Sequence, residues 1–259
     1  MDDRLPVSVL LLARDERDAL ATLLPTLAFA REIVVVIDPR GDRSVRELAE
    51  RLGARVFERA FDGFGPQRRH ALAQCTQDWV LWVDADERLE RGAAAAFGRA
   101  LGDGSTAGYR LRRHGWFLGR RIRHCGWRDE RVLRLFRRAV ARFDDALVHE
   151  RVVVEGAIRD LGGAAIEHHS YETFGECVAK MTQYAHAGAR TARRAGRRAG
   201  PLDVLVRPPL RFARMVVLQA GFLDGAHGLL LCLFAAAQVF LKYAELWDLT
   251  RRAKPGARA

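Results

Sequence analysis

Trp79-Val80-Leu81-Trp82-Val83 runs directly into Asp84-Ala85-Asp86-Glu87: five apolar residues, then three acids. A short, continuous apolar run is the pattern of a strand buried on both faces, and the acids mark its carboxyl end. Three similar runs precede it. Val7-Ser8-Val9-Leu10-Leu11-Leu12-Ala13 is the first, the β-branched Ile33-Val34-Val35-Val36-Ile37 the second, and Ala54-Arg55-Val56-Phe57 the third. Helix-patterned segments lie between them. Asp15 to Phe29 carries leucines at 20, 23, 24 and 27, one helical face. Asp42 to Leu52 has an acid to cap its start and Gly53 to stop it. Pro66 opens a third helix running to about Thr76. Strand and helix alternating in this way predict an α/β fold with a mainly parallel sheet flanked by helices. Ligands then belong at the carboxyl ends of the strands.

From about residue 105 the strands become shorter and rich in arginine: Gly108 to Arg113, Arg131 to Arg137, Arg151 to Glu155. Across the 259 residues, 43 Lys and Arg outnumber 32 Asp and Glu, a formal charge of +11 that favours a polyanionic partner. With 49% hydrophobic residues the chain can build a core, which excludes wholesale disorder. Cys75, Cys125, Cys177 and Cys232 form no C-x-x-C pair, so free thiols are expected rather than a disulfide framework or a zinc cluster. The acidic start and the seven-residue first apolar run lack the pattern of a secretory signal, and the expected location is the cytoplasm.

Acids cluster past three strand ends: Asp15 and Glu16, then Asp38, then Asp84, Asp86 and Glu87. In a parallel sheet these would converge on one cleft, and such convergence repels itself unless a cation or hydrogen-bond donors neutralise it. Asp84 and Asp86, two apart, suit a hard divalent cation that also grips phosphates. On residues alone two other readings stay open. A basic nucleic-acid-binding protein is suggested by charge, but no helix-turn-helix, zinc finger or RNP motif is legible. An aspartate-nucleophile phosphatase would want a hydroxyl residue two positions after Asp86, where Arg88 stands.

Arg14-Asp15-Glu16, Asp38, Phe64-Gly65-Pro66-Gln67-Arg68 and Asp84-Ala85-Asp86-Glu87, in this order, resemble family 2 glycosyltransferases of the GT-A fold. Trp127, Leu133-Arg134-Leu135-Phe136-Arg137-Arg138, Val148-His149-Glu150, Gly221-Phe222-Leu223-Asp224-Gly225 and Phe240-Leu241-Lys242-Tyr243-Ala244 are similar to the branch of lipopolysaccharide core β-1,4-glucosyltransferases. The resemblance implies a metal-dependent, inverting transfer of a sugar, a hexose, from a nucleoside-diphosphate sugar such as a UDP-sugar. The acceptor it implies is a lipid-anchored glycan, with no nucleic acid involved. Arg14 and Glu16 would border the nucleotide, Asp38 would hold the uracil or ribose, and Arg68 would face the base or the diphosphate. Asp84 would contact the ribose, and Asp86 would hold Mg²⁺ or Mn²⁺. Counting back from Leu133, the family's catalytic acid falls on Glu130 and its preceding Pro on Asp129, so the base lies between Glu130, which is favoured, and Asp129. Trp127, Arg134, His149, Glu150 and His168 are candidates for acceptor or phosphate contacts. After the second strand the chain departs from the family: Asp38-Pro39-Arg40-Gly41-Asp42 is one residue short, leaving Arg40 to meet a phosphate or to lie in solvent.

The expected organisation is a glycosyltransferase domain over 1–170, with a nucleotide-sugar half (1–104) and an acceptor half (105–170), followed by a helical extension over 171–259. Eight arginines and one acid lie between Arg190 and Arg214, interrupted by a proline break, and Gly225 to Leu241 carries no Asp, Glu, Lys or Arg. A basic stretch followed by an apolar one predicts a peripheral anchor on the anionic, cytoplasmic face of the inner membrane.

Overall fold

The structure is a computed structural model that describes residues 3–128, 130–144 and 151–252. In chain order, β1 (Leu5–Ala13), α1 (Arg17–Leu23), β2 (Ala30–Ile37), α2 (Arg43–Arg51), β3 (Arg55–Glu58), α3 (Phe64–Gln74) and β4 (Trp79–Trp82) form the alternating half. β5 (Glu87–Leu89), α4 (Ala93–Leu101), β6 (Gly108–Phe117), β7 (Arg120–Arg121), β8 (Arg131–Arg137), β9 (Ala141–Phe143), β10 (Val152–Val154) and β11 (Ile158–Tyr171) follow. Three long helices close the chain: α5 (Phe174–Arg194), α6 (Pro201–Ala213) and α7 (Gly225–Arg252). The chain divides into two compact units, Met1–Arg113 with Glu130–His168, and His114–Asp129 with His169–Ala259.

The first unit is built on a mixed sheet of order β3-β2-β1-β4-β8-β6-β11-β5. β3, β2, β1 and β4 run parallel, and β8 is antiparallel to β4 and to β6. Side chains alternate along each strand, so the apolar runs feed two cores. Val7, Val9, Leu11 and Leu81 face Leu20 and Leu23 of α1, Val45 of α2 and Phe97 of α4. Leu10, Val34, Val36 and Val80 face Ala71 of α3, with Phe136 and Phe143. Burial on both faces is why these strands read as continuous apolar runs rather than alternating ones. Buried Glu32 of β2 accepts hydrogen bonds from Ser8, Arg55 and Thr76, tying β1, β3 and the loop leading into β4 to one carboxylate.

Three of the differences from the sequence expectation involve prolines. The helix expected over Asp15 to Phe29 stops at Leu23 and tightens into a 3₁₀ turn over Leu24–Leu27, where Pro25 has no N–H to continue an α-helical ladder. α3 starts at Phe64, two residues before Pro66, because Gly63 at φ 139° turns the chain into it. Pro66 then occupies the first turn, where an N–H lacks a helical partner in any case. Pro208 and Pro209 do not break the C-terminal region: both lie inside α6, and the interruption falls later, in a π turn over Arg214–Leu218 ending at Ala220 (φ 51°). The expected caps of α2 are present, with the Asp42 side chain accepting from Ser44 N at 2.8 Å and Gly53 at φ 84°.

In the second unit α7 packs against α5 and α6. Phe117, Ile122, Cys177, Met215 and Leu231 form its core. Buried Asp224 accepts from Arg123 N and His124 N at 3.1 and 2.8 Å, fixing the turn after β7 to the start of α7. All four cysteines are free and buried.

Candidate active site

The acids after β4 are neutralised from within the protein. Asp84 Oδ1 accepts from Trp82 Nε1 at 2.9 Å and from an Arg68 guanidinium nitrogen at 3.2 Å. Arg134 donates to Asp84 Oδ2 at 2.8 Å and to Glu87 Oε1 at 2.5 Å, and Glu87 also accepts from Asp84 N at 3.0 Å. The guanidinium carbons of Arg68 and Arg134 lie over the Trp82 ring at 4.1 and 3.9 Å from its centre, so the ring's π-electron density adds cation–π attraction to each. α3 supplies Arg68, β4 supplies Trp82 and β8 supplies Arg134, so the antiparallel docking of β8 on β4 assembles the cluster. Burial opposes ionisation of Asp84, yet Arg134, Arg68 and the indole N–H hold its carboxyl well below the usual range. Glu87 is fully buried, and burial together with the Asp84 charge pushes its carboxyl up despite Arg134.

Asp86 points elsewhere. Its side chain is 39% exposed, and Oδ2 lies 3.4 Å from His168 Nε2. The two meet because β11 pairs antiparallel with β5, with His168 opposite Glu87. Among the described residues no group of three or more His, Cys, Asp or Glu forms a metal cage. A hard divalent ion shared with a diphosphate needs only one or two carboxylates, because phosphate oxygens and water complete its shell. Asp86, a partly exposed oxygen donor two residues after a protein-neutralised Asp84, is compatible with that requirement.

Glu130 stands immediately before β8, exposed, and Arg113 forks onto it: Nε to Oε2 at 3.0 Å and a terminal nitrogen to Oε1 at 2.5 Å. The backbone repeats the link, Arg113 N donating to Glu130 O at 2.9 Å. Glu130 and Asp84 line one open cleft of about 700 Å³, together with Arg68, Trp82, Arg113 and Arg134. Asp129, His149 and Glu150 lie outside the described residues.

A second, smaller cleft of about 190 Å³ opens at the ends of β1 and β2. Arg14, Glu16, Asp38, Gln67 and the edge-to-face pair Phe61 and Phe64 line it. Arg40 forks onto Asp38 (Nε to Oδ1 2.9 Å, terminal nitrogen to Oδ2 2.7 Å) and also donates to Phe61 O at 2.9 Å. Those hydrogen bonds hold the Asp38 carboxyl down at about 2. Asp15 accepts from Asp42 N at 2.9 Å, and Glu16 from Arg14 N at 2.6 Å, so both acids shape the loop. The strand-end acids therefore do not converge on one cleft as their positions in sequence suggest: Glu16 and Asp38 line one and Asp84 another. Trp127 belongs to the second unit, where its ring closes over Gly115.

Trp82, Arg40 and Arg113 carry site geometry that sequence reading leaves unassigned. Trp82 looks like any buried strand residue. Arg113 meets Glu130 only through the β6–β8 register, which a separation of 17 positions along the chain conceals.

The family model described as glycosyl transferase family 2 matches residues 8–152, more than half of the chain. The chain is 26% identical over 254 residues to the lipopolysaccharide core biosynthesis glycosyltransferase LpsC of Rhizobium meliloti, covering 96% of this chain and 94% of that protein. It is 21% identical over 260 residues to an uncharacterized glycosyltransferase of Rickettsia typhi, covering 96% and 89%. Among solved structures, the mannosyltransferase of Pyrobaculum calidifontis in complex with GDP-Man and Mn²⁺ matches with a TM-score of 0.51 at 16% identity, over 95% of this chain and 88% of that one. That likeness concerns the fold, which is GT-A.

Proposed function

The chain belongs to glycosyl transferase family 2, and on that premise we propose that it is an inverting, metal-dependent hexosyltransferase using a UDP-sugar and a lipid-linked acceptor of the lipopolysaccharide-core type. Nucleotide-sugar transfer itself follows from the family and from the relative in lipopolysaccharide core biosynthesis. The observation that carries the finer reading is the cleft shared by Asp84 and Glu130. In this reading the uridine lies in the small cleft, where Phe61 and Phe64 offer ring faces and Asp38 and Glu16 offer acceptors. Asp86 holds Mg²⁺ or Mn²⁺, which when bound neutralises charge on the departing diphosphate. Arg68 adds a fixed cation on the same side, and Asp84, already paired within the protein, orients the ribose. Glu130 accepts the proton of the acceptor hydroxyl as that oxygen approaches the sugar from the face opposite the diphosphate, which inverts the anomeric centre. Arg113 fixes the Glu130 carboxylate while leaving each oxygen a further lone pair.

The acceptor brings the enzyme to a membrane. Leu202, Leu205, Leu210, Leu218, Phe222 and Leu223 are exposed in the second unit, with Leu218 80% and Leu202 75% accessible. Arg207, Arg211 and Arg214 lie in the same stretch. The helical segment Gly221–Arg252 is long and apolar enough to cross a bilayer by length and composition. The surface reading is preferred, because the most exposed apolar side chains belong to α6 and the turn after it rather than to α7. The cytoplasmic face of the inner membrane is where a nucleotide-sugar donor and a lipid-linked acceptor meet.

The test is transfer of labelled sugar from UDP-sugars to lipopolysaccharide-core acceptor by wild type and Glu130→Gln. Loss of a general base typically costs about 10²–10⁴-fold, so turnover should fall by that order while donor affinity holds. A Glu130→Gln enzyme with normal turnover, or a product that retains the donor's anomeric configuration, overturns the base assignment and the inverting mechanism respectively.

A further inference from the structure

The large cleft carries more cationic side chains than the chemistry of sugar transfer requires. Besides Arg68, Arg113 and Arg134, its walls include Arg110 of β6, Arg131 of β8 and Arg151 just before β10. The first three are engaged with acids at the cleft floor, Arg68 and Arg134 with Asp84 and Arg113 with Glu130. The other three are exposed. Arg110 and Arg131 lie on neighbouring strands, diagonally across a register that sets Arg131 opposite Arg112, and both meet Asp160 of β11, at 3.7 and 2.6 Å. Each guanidinium has five N–H donors, so one shared carboxylate leaves several unspent. Among the described residues no ion pair engages Arg151.

Position separates these arginines from the donor. The nucleotide cleft lies at the ends of β2 and β1, whereas Arg131 and Arg110 stand on β8 and β6, two and three strands beyond β1 in the sheet order. At about 4.8 Å per strand that is roughly 10–15 Å away, on the far side of Asp84.

Resting on the nucleotide-sugar reading above, we propose that Arg110, Arg131 and Arg151 form an oxyanion subsite, and that the acceptor carries a phosphate or carboxylate close to the hydroxyl presented to Glu130. Planar guanidinium forks match these groups with paired, charge-assisted hydrogen bonds. The subsite selects charged acceptor sugars over neutral ones and sets the hydroxyl against the base.

The experiment is calorimetric titration of protein already saturated with UDP and Mn²⁺, which occupy the donor site. Inorganic phosphate, glucuronate and glucose are titrated in turn, and the stronger of the first two identifies the oxyanion. Binding of phosphate or glucuronate without binding of glucose is expected. Affinity should fall about tenfold or more in Arg131→Gln and Arg151→Gln, since each removes a charged hydrogen-bonding group. Arg159→Gln, whose partner is Asp103 outside the cleft, should bind as wild type does. Absence of anion binding to the UDP-loaded protein, or binding indifferent to both cleft substitutions, overturns the proposal. Failure of UDP itself to bind contradicts the nucleotide-sugar reading instead, and phosphate titrated into the free protein then still tests the subsite.

Discussion

Arg40 shows how a single departure in a loop changes what a carboxylate can do. Asp38 is buried at the end of β2, yet its oxygens are already forked by a side chain two residues on. An ionised Asp38 is part of the folded state because Arg40 is there. Its folded value of about 2 lies below the ordinary carboxyl value, so its contribution to stability is complete above about pH 4 and fades as the pH falls through 2. Arg40→Ala should therefore lower the urea midpoint at pH 5, and the gap from wild type should narrow at pH 3. A gap that widens on acidification contradicts the sign. The sequence marked Arg40 as out of pattern but could not choose between phosphate and solvent; its partner proved to be the acid beside it.

The contact of β8 with β4 is where packing and chemistry coincide. Arg134 is 3% exposed and its two carboxylate partners come from the segment after β4. Removing one member of a buried ionic group leaves charge without compensation, which typically costs about 3–5 kcal/mol. Arg134→Met should lose stability of that order in urea unfolding, and the paired change Arg134→Met with Glu87→Leu should recover part of it. Equal destabilisation in the single and paired variants would show that the cluster is held by packing alone. The strands β1, β2 and β4 were legible because each is buried on both faces and therefore almost continuously apolar. What joins them was not: antiparallel register brings Arg113 to Glu130 and sets His168 opposite Glu87, within reach of Asp86, and register has no local signature in an arginine-rich strand. Helix ends were legible where a side chain caps them, as at Asp42, and misread where a proline lies inside an element, as at Pro25 and Pro208.

Both units bear on function in different ways: one holds the two clefts, the other presents apolar residues beside arginines. Changing Leu202, Leu205, Leu210 and Leu218 together to Ser should leave the fold intact, since all four are exposed, and should abolish flotation with anionic liposomes. Wild-type flotation should weaken with salt as the Debye length shrinks, without vanishing, because apolar insertion is not screened. Undiminished flotation of the fourfold variant would place the anchor elsewhere. The most direct test of the account is the thermal unfolding midpoint of wild type and Asp86→Ala with UDP, with and without Mn²⁺. A ligand at 100 times its Kd adds about 2.7 kcal/mol to the folded state, so UDP with Mn²⁺ should raise the wild-type midpoint well beyond either alone. Asp86→Ala should unfold near the unliganded wild type and show no gain that depends on Mn²⁺. An equal Mn²⁺-dependent gain in Asp86→Ala, or a wild-type gain from UDP that EDTA leaves unchanged, would contradict the metal-assisted donor site.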